Sequence, residues 1–127
     1  MSRPNPVPDG FRTVTPYLSL KDCGSALEWY RRAFGAEIVV AMPGPGGKGV
    51  AHAEMRIGDS MIMAAEEWPG TETSSPTTLR GTTVGIHLYV ADCDAWFERA
   101  GKAGAKITMP LMNMFWGDRF GKLQDPY

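Results

Sequence analysis

The chain is poor in anything that would staple, anchor or polarise it. Two cysteines in 127 residues are too few for a disulfide framework. No apolar run approaches the ~20 residues that span a bilayer. The first residues, MSRPNPVPDGF, lack the apolar core of a secretory signal. Thirteen Lys and Arg face fourteen Asp and Glu, a formal net charge of −1, so there is no basic excess to hold nucleic acid or an anionic membrane. These absences point to a reducing cytoplasm, with neither nucleic acid nor membrane as partner. Catalytic signatures are missing too: no CxxC, HExxH or GxGxxG stands in a meaningful setting, and no Ser-His-Asp set is evident. The Gly-rich run Pro43–Gly49 holds a lysine, but Gly49 follows that lysine where a phosphate loop needs Ser or Thr and then a helix.

What is present is a repeat, the feature to seek first because missing it mis-reads the whole fold. Residues 15–38, TPYLSLKDCGSALEWYRRAFGAEI, and residues 81–107, GTTVGIHLYVADCDAWFERAGKAGAKI, share one grammar. Asp22-Cys23 matches Asp92-Cys93, Trp29-Tyr30 matches Trp96-Phe97, and Gly35-Ala36-Glu37-Ile38 matches Gly104-Ala105-Lys106-Ile107. Each copy reads as strand, Asp-capped turn, amphipathic helix and strand. Residues 1–12 read as a loosely held arm.

Val14–Leu20 alternates as a strand, and because Pro16 has no N–H that strand must sit at an edge or leave the donor position unpaired. Asp22 is expected to cap a helix whose stripe is Ala26, Trp29, Tyr30, Ala33 and Phe34, stopped by Gly35. Glu37–Met42, Val50–Ile57 and Ser60–Ala65 follow as strands, the last two joined by a Gly58-Asp59 turn. The polar stretch 66–80 is a linker. In the second copy Ile86, Leu88 and Val90 alternate with Gly85, His87 and Tyr89. A helix capped by Asp92 comes next, then strands at 106–112 and 120–124. The expected class is therefore α+β. One domain, 1–127, holds a first βαβββ module at 14–65, a linker at 66–80 and a second, truncated module at 81–127 whose last strand is expected to be missing. Without that strand a sheet edge is expected to lie open, which natural proteins avoid.

Strand parity gathers Thr15, Tyr17, His52, Glu54, Arg56, Met61, Met63, His87 and Tyr89 on one face, apolar with a few polar anchors, the usual make-up of a small-ligand site. His52 and Glu54, two residues apart, could serve as acid and base; a solvated sheet face with cross-strand pairing is the plainer alternative. Trp116 and Arg119 could cover an aromatic or anionic ligand, or simply brace their loop. Cys23 and Cys93 follow helix caps, where a thiol can be activated, but small buried residues serve equally well there.

Several of these segments together resemble a known family. They are Thr15-Pro16-Tyr17-Leu18, Ala26-Leu27-Glu28-Trp29-Tyr30 running into Phe34-Gly35-Ala36, His52 through Asp59 (HAEMRIGD), Leu88-Tyr89-Val90, and Phe115-Trp116-Gly117-Asp118-Arg119. The likeness is to the vicinal oxygen chelate (glyoxalase/bleomycin resistance/dioxygenase) superfamily, and within it to the PhnB-like branch. It implies paired βαβββ modules curling around a cleft, and commonly a homodimer. Metal-using members place His, Glu or Gln on the first and last strand of each module. By that register those positions fall here on Thr15, Met63 and Gly85, with His87 two residues on. A hydroxyl and a thioether are poor partners for a divalent ion, so no metal ligand and no cofactor are assigned. The reading is a small-molecule-binding protein, protective by sequestration, with Thr15, Tyr17, Met61, Met63, His87, Tyr89, Trp116 and Arg119 around the ligand. Two alternatives stay open. One is a lyase or dioxygenase-like enzyme, metal-dependent through His87 or metal-free through His52 and Glu54. The other is a dimeric structural module with a vestigial cleft.

Overall fold

A computed structural model describes residues 4–127; part of the expected N-terminal arm, residues 1–3, lies outside that range. Residues 4–12 carry neither helix nor strand. The first module contains β1 (Tyr17–Leu20), α1 (Cys23–Phe34), β2 (Glu37–Pro43), β3 (Val50–Ile57) and β4 (Ser60–Glu66). Its sheet has the order β1-β4-β3-β2, with β1 parallel to β4 and the other pairs antiparallel. Strand β1 starts later than the alternation at Val14 suggested. Pro16 precedes it and contributes only its carbonyl, which accepts from the Met63 N–H at 2.9 Å, and β1 lies at the sheet edge, as its proline allows.

Helix α1 covers one face of this sheet. Ala26, Leu27, Trp29, Tyr30 and Ala33 are buried along its stripe, against Ala53, Met55 and Ile57 of β3 and Ile62 and Ala64 of β4. Burial of these apolar side chains at about 25 cal/mol per Å² is what holds a helix too short to persist alone. Gly35 ends it in the left-handed region at φ 66°, with its N–H on the Arg31 carbonyl at 3.0 Å. A Cβ at that position would also come within 3.2 Å of the Arg99 guanidinium, which could shift to admit it, so it is the left-handed backbone that selects glycine.

The start of α1 departs from expectation. Asp22 sits at φ 58°, ψ 58°, and its side chain caps nothing. Glu66, at the end of β4, does the capping instead. Its Oε1 accepts the Asp22 N–H at 2.7 Å, and its Oε2 accepts the Cys23 N–H at 3.2 Å and the Val50 N–H at 3.4 Å. One carboxylate thereby ties the helix start to two strands and neutralises free N–H groups at the positive end of the helix.

The 66–80 stretch is not all loop. Ser75 and Pro76 open a single turn of helix, α2 (Pro76–Leu79), where Ser75 Oγ accepts the Thr78 N–H at 3.1 Å. The second module contributes α3 (Cys93–Lys102), β5 (Lys106–Asn113) and β6 (Arg119–Gln124), the two strands forming an antiparallel pair. Asp92 caps α3 as expected, accepting from the Ala95 N–H at 3.1 Å. Residues 84–90 do not form the expected strand: they have no ladder partner among the described residues. In the first module β1 is held by the module's fourth strand, β4, and no described strand occupies the equivalent place in the second. Val84 and Tyr89 are consequently 68 % and 84 % exposed.

The two modules are joined through their helices. Trp29 Nε1 donates to the Ala103 carbonyl at 2.7 Å, Arg99 Nε to the Arg32 carbonyl at 2.7 Å, and Phe34 stacks on Trp96 with ring centres 6.4 Å apart. Tyr30 donates its hydroxyl to Asp125 at 2.9 Å, fastening the end of the chain to α1.

Candidate functional site

Helix α1 occupies one face of the first sheet; the other face carries the polar groups. Strand β3 presents Ala53, Met55 and Ile57 to the helix, so His52, Glu54 and Arg56 point the opposite way and are half-buried. Register extends this face across the sheet. Tyr17 pairs with Met63, Met63 with Glu54, and Glu54 with Val40; Met61 pairs with Arg56, and His52 with Met42. Apolar Met61, Met63 and Val40 thus surround a short polar line.

That line is continuous. The Tyr17 hydroxyl lies 2.7 Å from His52 Nδ1, and His52 Nε2 lies 2.9 Å from Glu54 Oε2. The His52 and Glu54 side chains are each 21 % exposed, and the Tyr17 and His52 rings are 5.5 Å apart at 55°. An ionised carboxylate only accepts, so Nε2 carries the hydrogen. A neutral imidazole then has Nδ1 free to accept from the tyrosine. The chain of donation runs Tyr17 to His52 to Glu54. Arg56 stands apart from it, paired with Glu37 at 2.7 Å. Tyr17 also lines a groove of about 560 Å³ along the free edge of β1, walled on its far side by residues 74–83, a volume in the range of small-ligand sites.

The second module gathers a different group. His87 lies 4.5 Å from the Tyr89 ring and stacks on Phe120 at 5.6 Å and 20°. Trp116 meets Phe120 at 5.8 Å and Phe115 at 5.0 Å, both edge-on. Trp116 Nε1 donates to Asp118 at 3.0 Å, while Arg119 is held by Asp94 at 2.6 Å and Asn113 at 3.1 Å. Of the sequence-derived ligand residues, Tyr17, Met61 and Met63 therefore share one face with His52 and Glu54, and His87, Tyr89 and Trp116 share an aromatic row. No hydrogen bond or ring contact among the described residues bridges the two groups. Phe120 was not anticipated, because by parity it shares its strand face with the polar Lys122 and Gln124, and the Tyr17–His52 bond was not legible from parity alone.

The donor set does not suit a divalent metal. Among the described residues no three His, Cys, Asp or Glu side chains converge on one point. Thr15 turns its hydroxyl to the Arg12 carbonyl at 3.1 Å, and Met63 offers a thioether, a soft donor. Cys23 is fully buried, and burial, reinforced by the Glu66 and Asp22 charges, pushes its thiol up to about 12. It is a packing residue and not a nucleophile.

A βαβββ module with a covered and an open sheet face, followed by a second helix and strand pair on the same plan, defines a paired-module α+β protein. The sequence profile of the Glyoxalase/Bleomycin resistance protein/Dioxygenase superfamily matches residues 13–127, and the chain belongs to that superfamily. The uncharacterized protein Mb0911c of Mycobacterium bovis is 41 % identical over 117 residues, covering 90 % of this chain and 76 % of its own. The crystal structure of TioX from Micromonospora sp. ML1 superimposes with a TM-score of 0.67 at 26 % identity, over 91 % of this chain and 88 % of that one. A bleomycin resistance determinant encoded on transposon Tn5 shares the fold at a TM-score of 0.63 and 21 % identity, over 91 % and 89 % of the two chains. No helix among the described residues is long and apolar enough to cross a membrane.

Proposed function

We propose that this protein is a cytoplasmic small-molecule-binding protein that acts without a resident divalent metal and protects by sequestration. The observation that carries the reading is the Tyr17–His52–Glu54 line on the open face of the first sheet, with His52 and Glu54 half-buried and Met61, Met63 and Val40 around them. Apolar walls supply affinity and a few oriented polar atoms supply selection, which is the ordinary composition of such sites. Membership of a superfamily whose description includes bleomycin resistance proteins supports a small-molecule ligand. The row His87, Tyr89, Phe120 and Trp116 offers ring faces for stacking such a ligand.

A homodimer is part of this proposal. Val84, Tyr89 and Phe115 are 68 %, 84 % and 97 % exposed, so a second copy has apolar area to cover. Multi-angle light scattering is expected to give twice the chain mass of 13.9 kDa; a monomer at micromolar concentration would remove the dimer from the reading. Binding is tested by thermal melting against a panel that begins with bleomycin and planar aromatic antibiotics. A ligand at a hundred times its Kd adds about 2.7 kcal/mol to the folded state and raises Tm accordingly. Tyr17→Phe and His52→Ala are expected to weaken binding by about tenfold each, one hydrogen bond apiece. A panel without a single shift, or shifts indifferent to both substitutions, would sink the proposal.

A further inference from the structure

We propose that the open face of the first sheet selects a cationic hydrogen-bond donor, a protonated amine or an amidine carried on an apolar body. This rests on that face being the ligand's seat and adds what the ligand must bring to it. Every hydrogen on the Tyr17–His52–Glu54 line is already spent. Glu54 only accepts, so the ring hydrogen of neutral His52 goes to Oε2 at 2.9 Å. Nδ1 then has none, and its 2.7 Å contact with Tyr17 consumes the hydrogen of the phenol. Tyr17, 53 % exposed, therefore turns lone pairs alone towards a ligand. Glu54 Oε1, with no hydrogen-bond partner among the described residues, is a second free acceptor.

The surroundings do not reverse this. Met61 and Met63 carry thioethers, which accept weakly and cannot donate, and Val40 offers neither. Ser19, one row along β1 on the same face, has a hydroxyl that gives or takes equally and so favours neither kind of ligand. Arg56 is held by Glu37 at 2.7 Å, and their charges cancel. With His52 neutral, the Glu54 carboxylate is left without a counter-ion although its side chain is only 21 % exposed. A half-buried carboxylate in this position is stabilised by a cation brought to it and destabilised by an anion. An ammonium or amidinium supplies the missing charge and N–H groups for both acceptors, in charge-assisted bonds. A carboxylate ligand would set lone pair against lone pair at Tyr17 and charge against charge at Glu54.

The probes are benzamidine and benzoate, planar fragments of nearly one shape, both ionised near neutral pH, with opposite charge and opposite hydrogen-bonding sense. Each is titrated into the unsubstituted protein, and the methyl resonances of Met61 and Met63 report occupancy. Benzamidine is expected to shift both saturably and to bind at least about tenfold tighter than benzoate, the low side of one hydrogen bond to a charged acceptor. Glu54→Gln is expected to abolish most of that ratio, and Tyr17→Phe to weaken benzamidine without weakening benzoate. ¹⁵N NMR at the same pH is expected to show a neutral His52 ring with its hydrogen on Nε2. Benzoate binding as tightly as benzamidine would overturn the selection and leave the face as a seat. Neither probe moving Met61 or Met63 at about 20 mM, where a millimolar Kd saturates, would remove the seat and the selection with it. A hydrogen on Nδ1, in the neutral ring or the imidazolium, would free the phenol to donate outward and would also overturn the selection. The affinity ratio and the tautomer are read on the unsubstituted protein, so they decide even where a variant does not fold.

Discussion

The helix start offers the sharpest stability test, because a local rule and the observed geometry name different residues. The local rule selects Asp22 as the cap of α1; the geometry selects Glu66, which lies 44 residues on. Replacing Glu66 with Ala removes the acceptor of three hydrogen bonds, at 2.7, 3.2 and 3.4 Å. Hydrogen bonds to a charged acceptor contribute about 1.5–3 kcal/mol each when well formed, and a negative charge at a helix N-terminus adds about 0.3–1 kcal/mol. Glu66 is half-buried, so water recovers part of this. The expected cost is about 3 kcal/mol for Glu66→Ala and about 1–2 kcal/mol for Glu66→Gln, which keeps one acceptor. With a urea m-value near 2 kcal/mol/M, the alanine variant's midpoint falls by about 1.5 M. Asp22→Ala should stay within about 0.5 kcal/mol, since its carboxylate caps nothing. Asp22→Gly should gain up to about 1 kcal/mol by relieving the left-handed backbone at φ 58°. Urea titration by circular dichroism of the four variants decides it. Loss concentrated in Asp22→Ala, with Glu66→Ala unchanged, would refute the capping assignment.

Other consequences can be checked with equal economy. The Cys23 thiol, raised from 9.0 to about 12, holds about a thousandth of the ordinary thiolate fraction near pH 8. Iodoacetamide should therefore label Cys93 in the folded protein and reach Cys23 only after denaturation; equal labelling would contradict its burial. The same shift makes Cys23's contribution to stability complete below pH 9, where both states keep the proton. It is lost progressively as the pH climbs from 9 towards 12, and a urea midpoint that rises between pH 8 and 10 would have the wrong sign. Trp29→Phe deletes the bond to the Ala103 carbonyl at 2.7 Å and trims a side chain only 2 % exposed, and should cost about 1–3 kcal/mol in the same titration. Elemental analysis should find substoichiometric divalent metal, and EDTA should leave the melting temperature and any ligand shift unchanged; a one-to-one metal whose removal lowers Tm would overturn the reading of Thr15 and Met63.

The legible part of the fold is the part written in local periodicity. The α1 stripe, Gly35, the alternation of β3 and the Asp92 cap each follow from neighbours in sequence, and the repeat placed the helices on a common plan. What escaped depends on residues far apart. Glu66 displaced Asp22 as cap because a charged acceptor reached the free N–H groups from across the sheet. Residues 84–90 alternate as a strand should, but pairing is a property of the neighbour, and none is supplied by the described residues. The turn of helix at 76–79 was announced by Ser75-Pro76 and hidden by its polar surroundings. At the site, parity put Tyr17, His52 and Glu54 on one face, while the 35-residue hydrogen bond that makes them a relay required the register of β1, β4 and β3 to be known.

The open face of the first sheet as the ligand's seat is tested most directly by methyl NMR on protein labelled at its methionines, titrated with whichever panel compound raises Tm most. Met42, Met61 and Met63 lie on that face by register, whereas Met55 packs under α1 at 1 % exposure, and Met109 and Met112 belong to β5. Saturable shifts at Met61 and Met63, with Met55 and Met109 still, are the expected result. Shifts confined to the second module, with Met61 and Met63 unmoved, would contradict it.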